Sequence, residues 1–163
     1  MSKESLIILL DNVRSGHNVG AAFRLADAFA IEAIYLCGIT PTPPHREIRK
    51  TALGAEETVP WHHVPTATEA VAKLRGQGFY CIAVEQTTTS VPLQELIPAQ
   101  RAQPTALIFG HEVWGIGAEV LEEVDVRMEI PQYGQKKSLN VSTCIAITTW
   151  EWRRPSTPPP KNP

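Results

Sequence analysis

Apolar residues in this chain follow two patterns. Residues 5–11, 33–37, 79–84 and 105–109 are short runs, almost wholly apolar. Such runs suit strands buried on both faces of a parallel sheet. Residues 126–130 read as a further strand, and residues 58–64 as another, weakened by Pro60 and so short or at an edge. Between the runs the apolar spacing changes. Val19, Ala22, Phe23, Ala26 and Ala30 fall at i, i+3, i+4, i+7 and i+11, which predicts a helix from Asn18 with Asn18 as its N-cap and 12–17 as a loop. Ala70, Val71 and Leu74 mark the inner face of a helix over 66–77, stopped by Gly76 and Gly78. Shorter helices are predicted over 46–53, ending at Gly54, and over 117–124, with a helical turn at 93–97. The last helix covers 140–153.

Strands therefore alternate with helices about six times. That pattern predicts an α/β fold, a mainly parallel sheet flanked by helices, as one domain over 1–154. The segment 155–163 holds five prolines in nine residues and is expected to be disordered. In open parallel sheets ligands bind beyond the carboxyl ends of the strands. Three polar loops follow predicted strands there, after Asp11, Phe109 and Ile130.

Composition narrows the classes. A chain of 163 residues with 43% hydrophobic and 20% charged residues can bury a full core. No apolar run approaches the roughly 20 residues that span a bilayer, so no membrane association is expected. The N-terminal run lacks a signal-peptide cleavage pattern, and Cys37, Cys81 and Cys144 are few and scattered, as in a reduced, cytoplasmic protein. No metal site is expected, since no cysteine spacing suits zinc and the adjacent His62 and His63 would point to opposite faces of a strand. Net charge is −2, with six acids against Arg127 over 112–129. Arg46, Arg49 and Lys50 cluster, as do Lys136 and Lys137; these are either solvated faces or a local basic surface.

The three loops carry the candidate chemistry. Gly20 and Arg24 share a helix face, so Arg24 can lie over the bare Gly20 and present its guanidinium to an anion; a surface pair with Asp27 is the plain alternative. Phe109 to Gly117 holds three glycines but neither a dinucleotide fingerprint nor a Walker loop. Glu112 there can bind a ligand, bond backbone amides or simply be solvated. Ser138 and Asn140 both suit an N-cap, and only one can occupy it, leaving the other to face a ligand. Nucleophilic catalysis lacks a paired base in sequence for Ser138, Ser142 or Cys144, although His17 or His111 could approach in space.

Together these loops resemble the ordered motifs of the SpoU (TrmH-like) branch of the SPOUT RNA methyltransferases. Asn18, Gly20 and Arg24 match the first motif. Phe109, Gly110, Glu112 and Gly115 match the second. Ile130, Pro131, Gly134, Ser138, Leu139, Asn140, Val141 and Ser142 match the third. The resemblance runs from about residue 5 to residue 154.

It implies a C-terminal trefoil knot, a topology that general rules disfavour. It also implies S-adenosylmethionine as cofactor, 2′-O-methylation of ribose in structured RNA, with tRNA ahead of rRNA, and a homodimer with residues of both chains at each site. Arg24, Asn18, Glu112, Ser138 and Asn140 become the expected catalytic set. Phe109, Gly110, Glu112, Gly115, Ile130, Pro131, Ser138, Leu139 and Asn140 become the expected cofactor wall. An arginine pKa above about 12 makes Arg24 a better orienting and charge-stabilising group than a base. Many relatives carry extra RNA-binding segments, so substrate choice here is expected to rest on Arg46, Arg49, Lys50, Lys136 and Lys137 or on a partner protein. The last helix, apolar on more than one side, suits a subunit contact. The alternatives are a non-catalytic RNA- or adenosine-binding module and a base-methylating SPOUT enzyme.

Overall fold

A computed structural model describes residues 5–154 and Lys161. The expected disordered tail lies outside the described residues, except for Lys161. Seven strands form one sheet in which every pairing is parallel. They are β1 (Leu6–Asp11), β2 (Ala33–Cys37), β3 (Trp61–Val64), β4 (Tyr80–Val84), β5 (Val91–Pro92), β6 (Thr105–Phe109) and β7 (Val126–Glu129), in the order β3-β2-β1-β6-β4-β7-β5.

The helices are α1 (Gly16–Ala28), α2 (Arg46–Ala52), α3 (Ala55–Thr58), α4 (Ala67–Gly76), α5 (Leu93–Gln100), α6 (Ala118–Glu123) and α7 (Val141–Arg153). Strand side chains alternate between two apolar layers. Leu6, Ile8 and Leu10 of β1 pack with α1, α2, α5 and α7, whereas Ile7 and Leu9 face α4 and α6. That two-sided burial is why β1, β2, β4 and β6 read as continuous apolar runs.

The sequence expectations differ from the structure at several element ends. Helix α1 starts at Gly16, because Ser15 is the N-cap and its hydroxyl accepts the Asn18 amide at 3.3 Å. Asn18 is thus not the cap, and its side chain is released for another partner. The expected strand over 58–64 starts only at Trp61, because Gly54 at φ +96° lets the chain turn into α3 first. Strand β3 is an edge strand, as Pro60 suggested. The short strand β5 was not foreseen, and the expected turn at 93–97 extends to Gln100.

Gly20 has a different reason from the expected one. It faces α2, and a Cβ there would overlap the Thr51 hydroxyl and the Ile48 carbonyl oxygen. The same contact is tied by the Thr51 hydroxyl, which donates to the His17 carbonyl at 2.8 Å. Gly20 therefore lets two helices meet, not Arg24 lie down. Arg24 itself is exposed, and the alternative pair with Asp27 is not formed among the described residues.

Helix α7 is held at its C-terminal end from two sides. Arg153 donates to the carbonyls of Phe29 and Ala30 at 2.9 Å each, and Arg101 donates to those of Glu151 at 2.9 Å and Arg154 at 3.0 Å. Charged donors on terminal carbonyls satisfy groups the helix cannot pair itself. These ties leave the N-terminal end of α7 facing the carboxyl ends of β6, β4 and β7.

Gly20→Ala should destabilise the fold by about 1–3 kcal/mol, the usual cost of overpacking, even though alanine is the better helix former. Chemical denaturation measures it. A variant at least as stable as the parent would show that α2 yields freely at this contact.

Candidate active site

Strands β1 and β6 are neighbours in register, Leu10 beside Phe109, and their chains leave the sheet in opposite directions. Such a switch opens a crevice beyond the strand ends. The loop after β6, residues 110–117, closes it and is unusually well tied. His111 and Gly115 exchange backbone hydrogen bonds at 3.0 and 2.9 Å, and the His111 Nδ1 accepts the amides of Val113 and Trp114. Gly115 sits at φ +69°, a conformation that favours glycine. A Cβ on Gly110 would overlap the backbone of Gly115 and Ile116.

Three carboxylates fasten this loop to its surroundings. Asp11, at the end of β1, accepts the Gly117 amide at 3.0 Å. Glu85, just after β4, accepts the Ile116 amide at 2.9 Å. Glu112, from the loop itself, reaches back and accepts the amides of Arg14 at 3.1 Å and Ser15 at 2.9 Å, and the Asn18 side-chain amide at 3.3 Å. Their acidities separate. Burial pushes the carboxyls of Asp11 and Glu85 up, against the pull of one amide each. Burial also acts on Glu112, but the amides around it, with Asn18, hold its pKa below the usual range.

A cleft of about 310 Å³ opens between this loop and the start of α7. That is the lower end of small-molecule sites, roughly 300–1,000 Å³. Phe109, Ile130, Leu139 and Val141 line it with apolar surface; Glu85, Glu129 and Glu112 contribute carboxylates. Lys137 contributes a cation, and Ser138 and Asn140 short polar groups. The competition between the last two is resolved. Asn140 is the N-cap of α7, its side-chain oxygen accepting the Ser142 amide at 2.9 Å, and Ser138 lines the cleft without a capping role.

Of the expected cofactor wall, Phe109, Gly110, Glu112, Gly115, Ile130, Ser138, Leu139 and Asn140 meet at this cleft, and Pro131 does not line it. Asn18 stands beside it through Glu112. Arg24 is not among its lining residues. Lys137 lines it, whereas Arg46, Arg49 and Lys50 lie on α2 and Lys136 is exposed outside it. Glu85, Gln86 and Glu129 also line it and carry no motif, and Cys144, which the sequence offers only as a nucleophile without a base, lines it too. Glu85 carried one signal, being the first charged residue after a buried strand. That β4 lies between β6 and β7 could not be read from the chain.

No hydrogen bond pairs Ser138, Ser142 or Cys144 with a histidine among the described residues. Burial, with the Glu85 charge, pushes the Cys144 thiol up to about 11, where little thiolate exists at neutral pH. His17 is ion-paired with Glu47 of α2, and the His111 Nδ1 is occupied by backbone amides. No cluster of three or more metal-ligating side chains occurs among the described residues.

Because the pKa of Glu112 is depressed on folding, its stabilising effect is complete above the unfolded value and is lost as pH falls through the folded one. Glu112→Gln should therefore lower the Tm at neutral pH, and the gap from the parent should close below roughly pH 4. A gap that is constant with pH would show that the charge is immaterial there. Asp11 and Glu85 have the opposite sign but are common to both proteins, so the difference isolates Glu112.

Comparison with known proteins agrees with the motif reading. The profile of the SpoU rRNA Methylase family matches residues 5–150. The chain is 31% identical over 149 residues to the tRNA (guanosine(18)-2′-O)-methyltransferase of Thermus thermophilus, covering 91% of this chain and 74% of that protein. It is 29% identical over 151 residues to the 23S rRNA (guanosine-2′-O-)-methyltransferase of Nitrosomonas europaea, covering 93% of this chain and 56% of that one. The AdoMet-bound rRNA methyltransferase of Sinorhizobium meliloti superposes with a TM-score of 0.85 at 27% identity, over 92% of this chain and 56% of that chain. The chain thus spans between 56% and 74% of the length of these proteins. With the profile spanning nearly all the described residues, the second and third motifs meeting at one cleft and Asn18 of the first tied beside it, the chain belongs to the SpoU rRNA methylase family of SPOUT proteins.

Proposed function

We propose that this protein is an S-adenosylmethionine-dependent methyltransferase acting on a ribose 2′-hydroxyl of structured RNA. One observation carries the reading: Glu112 of the second motif holds Asn18 and the loop of the first at the mouth of a cleft walled by the third. Relatives at 31% identity act on tRNA and one at 29% on rRNA, which favours tRNA as the substrate. The reading places the protein in the cytoplasm, and the shared fold supports a trefoil knot ending in α7.

The cleft fits the cofactor chemically. Phe109, Ile130, Leu139 and Val141 offer apolar contact to a purine, while Glu85 and Glu129 offer acceptors to ribose hydroxyls or an ammonium. When bound, S-adenosylmethionine supplies an electrophilic methyl group. The protein's task is then alignment of the 2′-hydroxyl, whose oxygen takes the methyl group as its proton passes to water at the open cleft mouth. Ser138, exposed beside the cleft and free of the cap, is placed to hydrogen-bond that hydroxyl. Asn18, kept in place by Glu112, fixes the side from which the RNA approaches.

Arg24 supplies positive charge for a phosphate or for the developing 2′-oxyanion. It does so from a second subunit, because it is exposed on α1 and does not line its own cleft. Apolar side chains support a dimer face. Trp150 is 55% exposed and Ile147 36% exposed on α7, and Trp150 meets the ring of Phe29, the C-cap of α1, edge-on at 6.3 Å.

Incubation with labelled cofactor and unfractionated tRNA should yield labelled RNA whose modified positions resist alkaline cleavage. Cofactor binding without transfer to tRNA or rRNA would favour the binding module, and alkali-sensitive product would indicate base methylation. A second test addresses the shared site. Arg24→Ala and Asn140→Ala homodimers should each be inactive, whereas an equal mixture, refolded together, should regain about a quarter of the parent activity, because half the dimers carry one intact composite site. No recovery would place Arg24 in the same subunit as the cleft it serves.

A further inference from the structure

The rim of the cleft carries aromatic side chains that the reaction does not require. Trp114 is 81% exposed, at the tip of the loop whose neighbours His111 and Val113 line the cleft. Tyr133 is 95% exposed on the opposite rim, next to Gln132, which also lines it. We propose that Trp114, backed by His111, is a stacking platform for an unpaired base of the RNA substrate, with Tyr133 and the Lys136–Lys137 pair receiving the strand on the facing rim. This rests on RNA being the substrate.

The geometry is that of a platform. The Trp114 ring stacks on the His111 ring with centroids 4.4 Å apart and planes at 21°, so one face is covered and the other remains to be stacked upon. The ring cannot easily fold inward. The reciprocal bonds between His111 and Gly115, and the two amides on the His111 Nδ1, fix the loop from both ends. Leaving a tryptophan in water forfeits burial, so a rigid loop that presents one calls for an occupant.

The facing rim favours nucleic acid over protein. Lys136 and Lys137 have no ion-pair partner among the described residues. Lysine is depleted in protein interfaces, whereas aromatic rings interleaved with cations are what single-stranded nucleic acid binds. Position supplies the rest. A ribose brought to the cleft mouth carries its base within a few ångströms. A base that must leave its helix to expose the 2′-hydroxyl needs a surface to stack on. Stacking recognises a π-face and no hydrogen-bond pattern, so the platform would select unpaired over paired RNA and not one base over another.

The test uses the full chain and two fluorescent RNA probes: a stem–loop with an unpaired loop, and a fully paired duplex containing the same loop sequence. Trp114→Ala should weaken stem–loop binding about 5- to 150-fold, the range expected for a stacked base. Duplex binding should stay nearly unchanged. Trp114→Phe should restore most of the loss, since a ring remains, and Tyr133→Ala should give a smaller loss of the same kind.

Calorimetry with S-adenosylmethionine and sedimentation of the variants supply the controls. Equal losses for stem–loop and duplex, or none, would overturn the platform. Loss of cofactor affinity in parallel would make Trp114 a loop-packing residue instead. A change of oligomeric state on Trp114→Ala would assign the ring to a subunit contact. If the parent protein bound neither RNA, the RNA-methyltransferase reading itself would fall, and that outcome is distinct from a parent that binds and a Trp114→Ala variant that binds as well.

Discussion

Everything at this site depends on backbone amides being taken up by carboxylates. A glycine-bearing loop beyond a sheet has many N–H groups and no ladder to satisfy them. Asp11, Glu85 and Glu112 each accept amides across a gap between separate chain segments. Two of these carboxylates come from strand ends and hold the loop 110–117 inward. The third comes from that loop and holds the start of α1. Charge-assisted bonds of this kind are stronger than neutral ones. The loop is thereby rigid without a hydrophobic core of its own, and a rigid loop is what an alignment-based catalyst needs.

The second constraint is the placement of α7. Its buried residues Ile145, Thr148, Thr149 and Trp152 fit it against the sheet, and arginine side chains from α5 and α7 itself tie its far end to carbonyls. With that end immobilised, its N-terminus and the cap at Asn140 stand at the cleft. Capping by Asn140 frees Ser138, so a local hydrogen-bond choice at a helix end determines which hydroxyl is available to chemistry. The same helix leaves Ile147 and Trp150 on an apolar outer face beside Phe29. The cleft wall at Asn140 and Val141 and the proposed subunit contact therefore belong to one element.

Gly20 and Gly110 show how one residue type serves two ends. Both belong to the motif pattern, yet each is required by close backbone approach within the protein: one between α1 and α2, the other inside the loop after β6. Gly20 suggested room for an arginine when read along one helix. The room is taken by another helix, whose contact with α1 is invisible in a helical period. Arg24 is left exposed.

Period and punctuation in the sequence were enough to determine the α/β class, the parallel character of the sheet, the strand cores and the position of the last helix. Buried parallel strands must be apolar on both faces, and no other element of that length reads so. The ordered motifs also determined the family and about half of the residues that line the cleft. The sequence did not determine the strand order. β4 lies between β6 and β7, and this brings Glu85 to the cleft. Nor did it determine that Ser15 and not Asn18 would cap α1, since both are competent acceptors and the choice follows from Asn18 having Glu112 within reach. Those decisions rest on contacts between segments about a hundred residues apart, and only the packed chain brings such segments within hydrogen-bond distance.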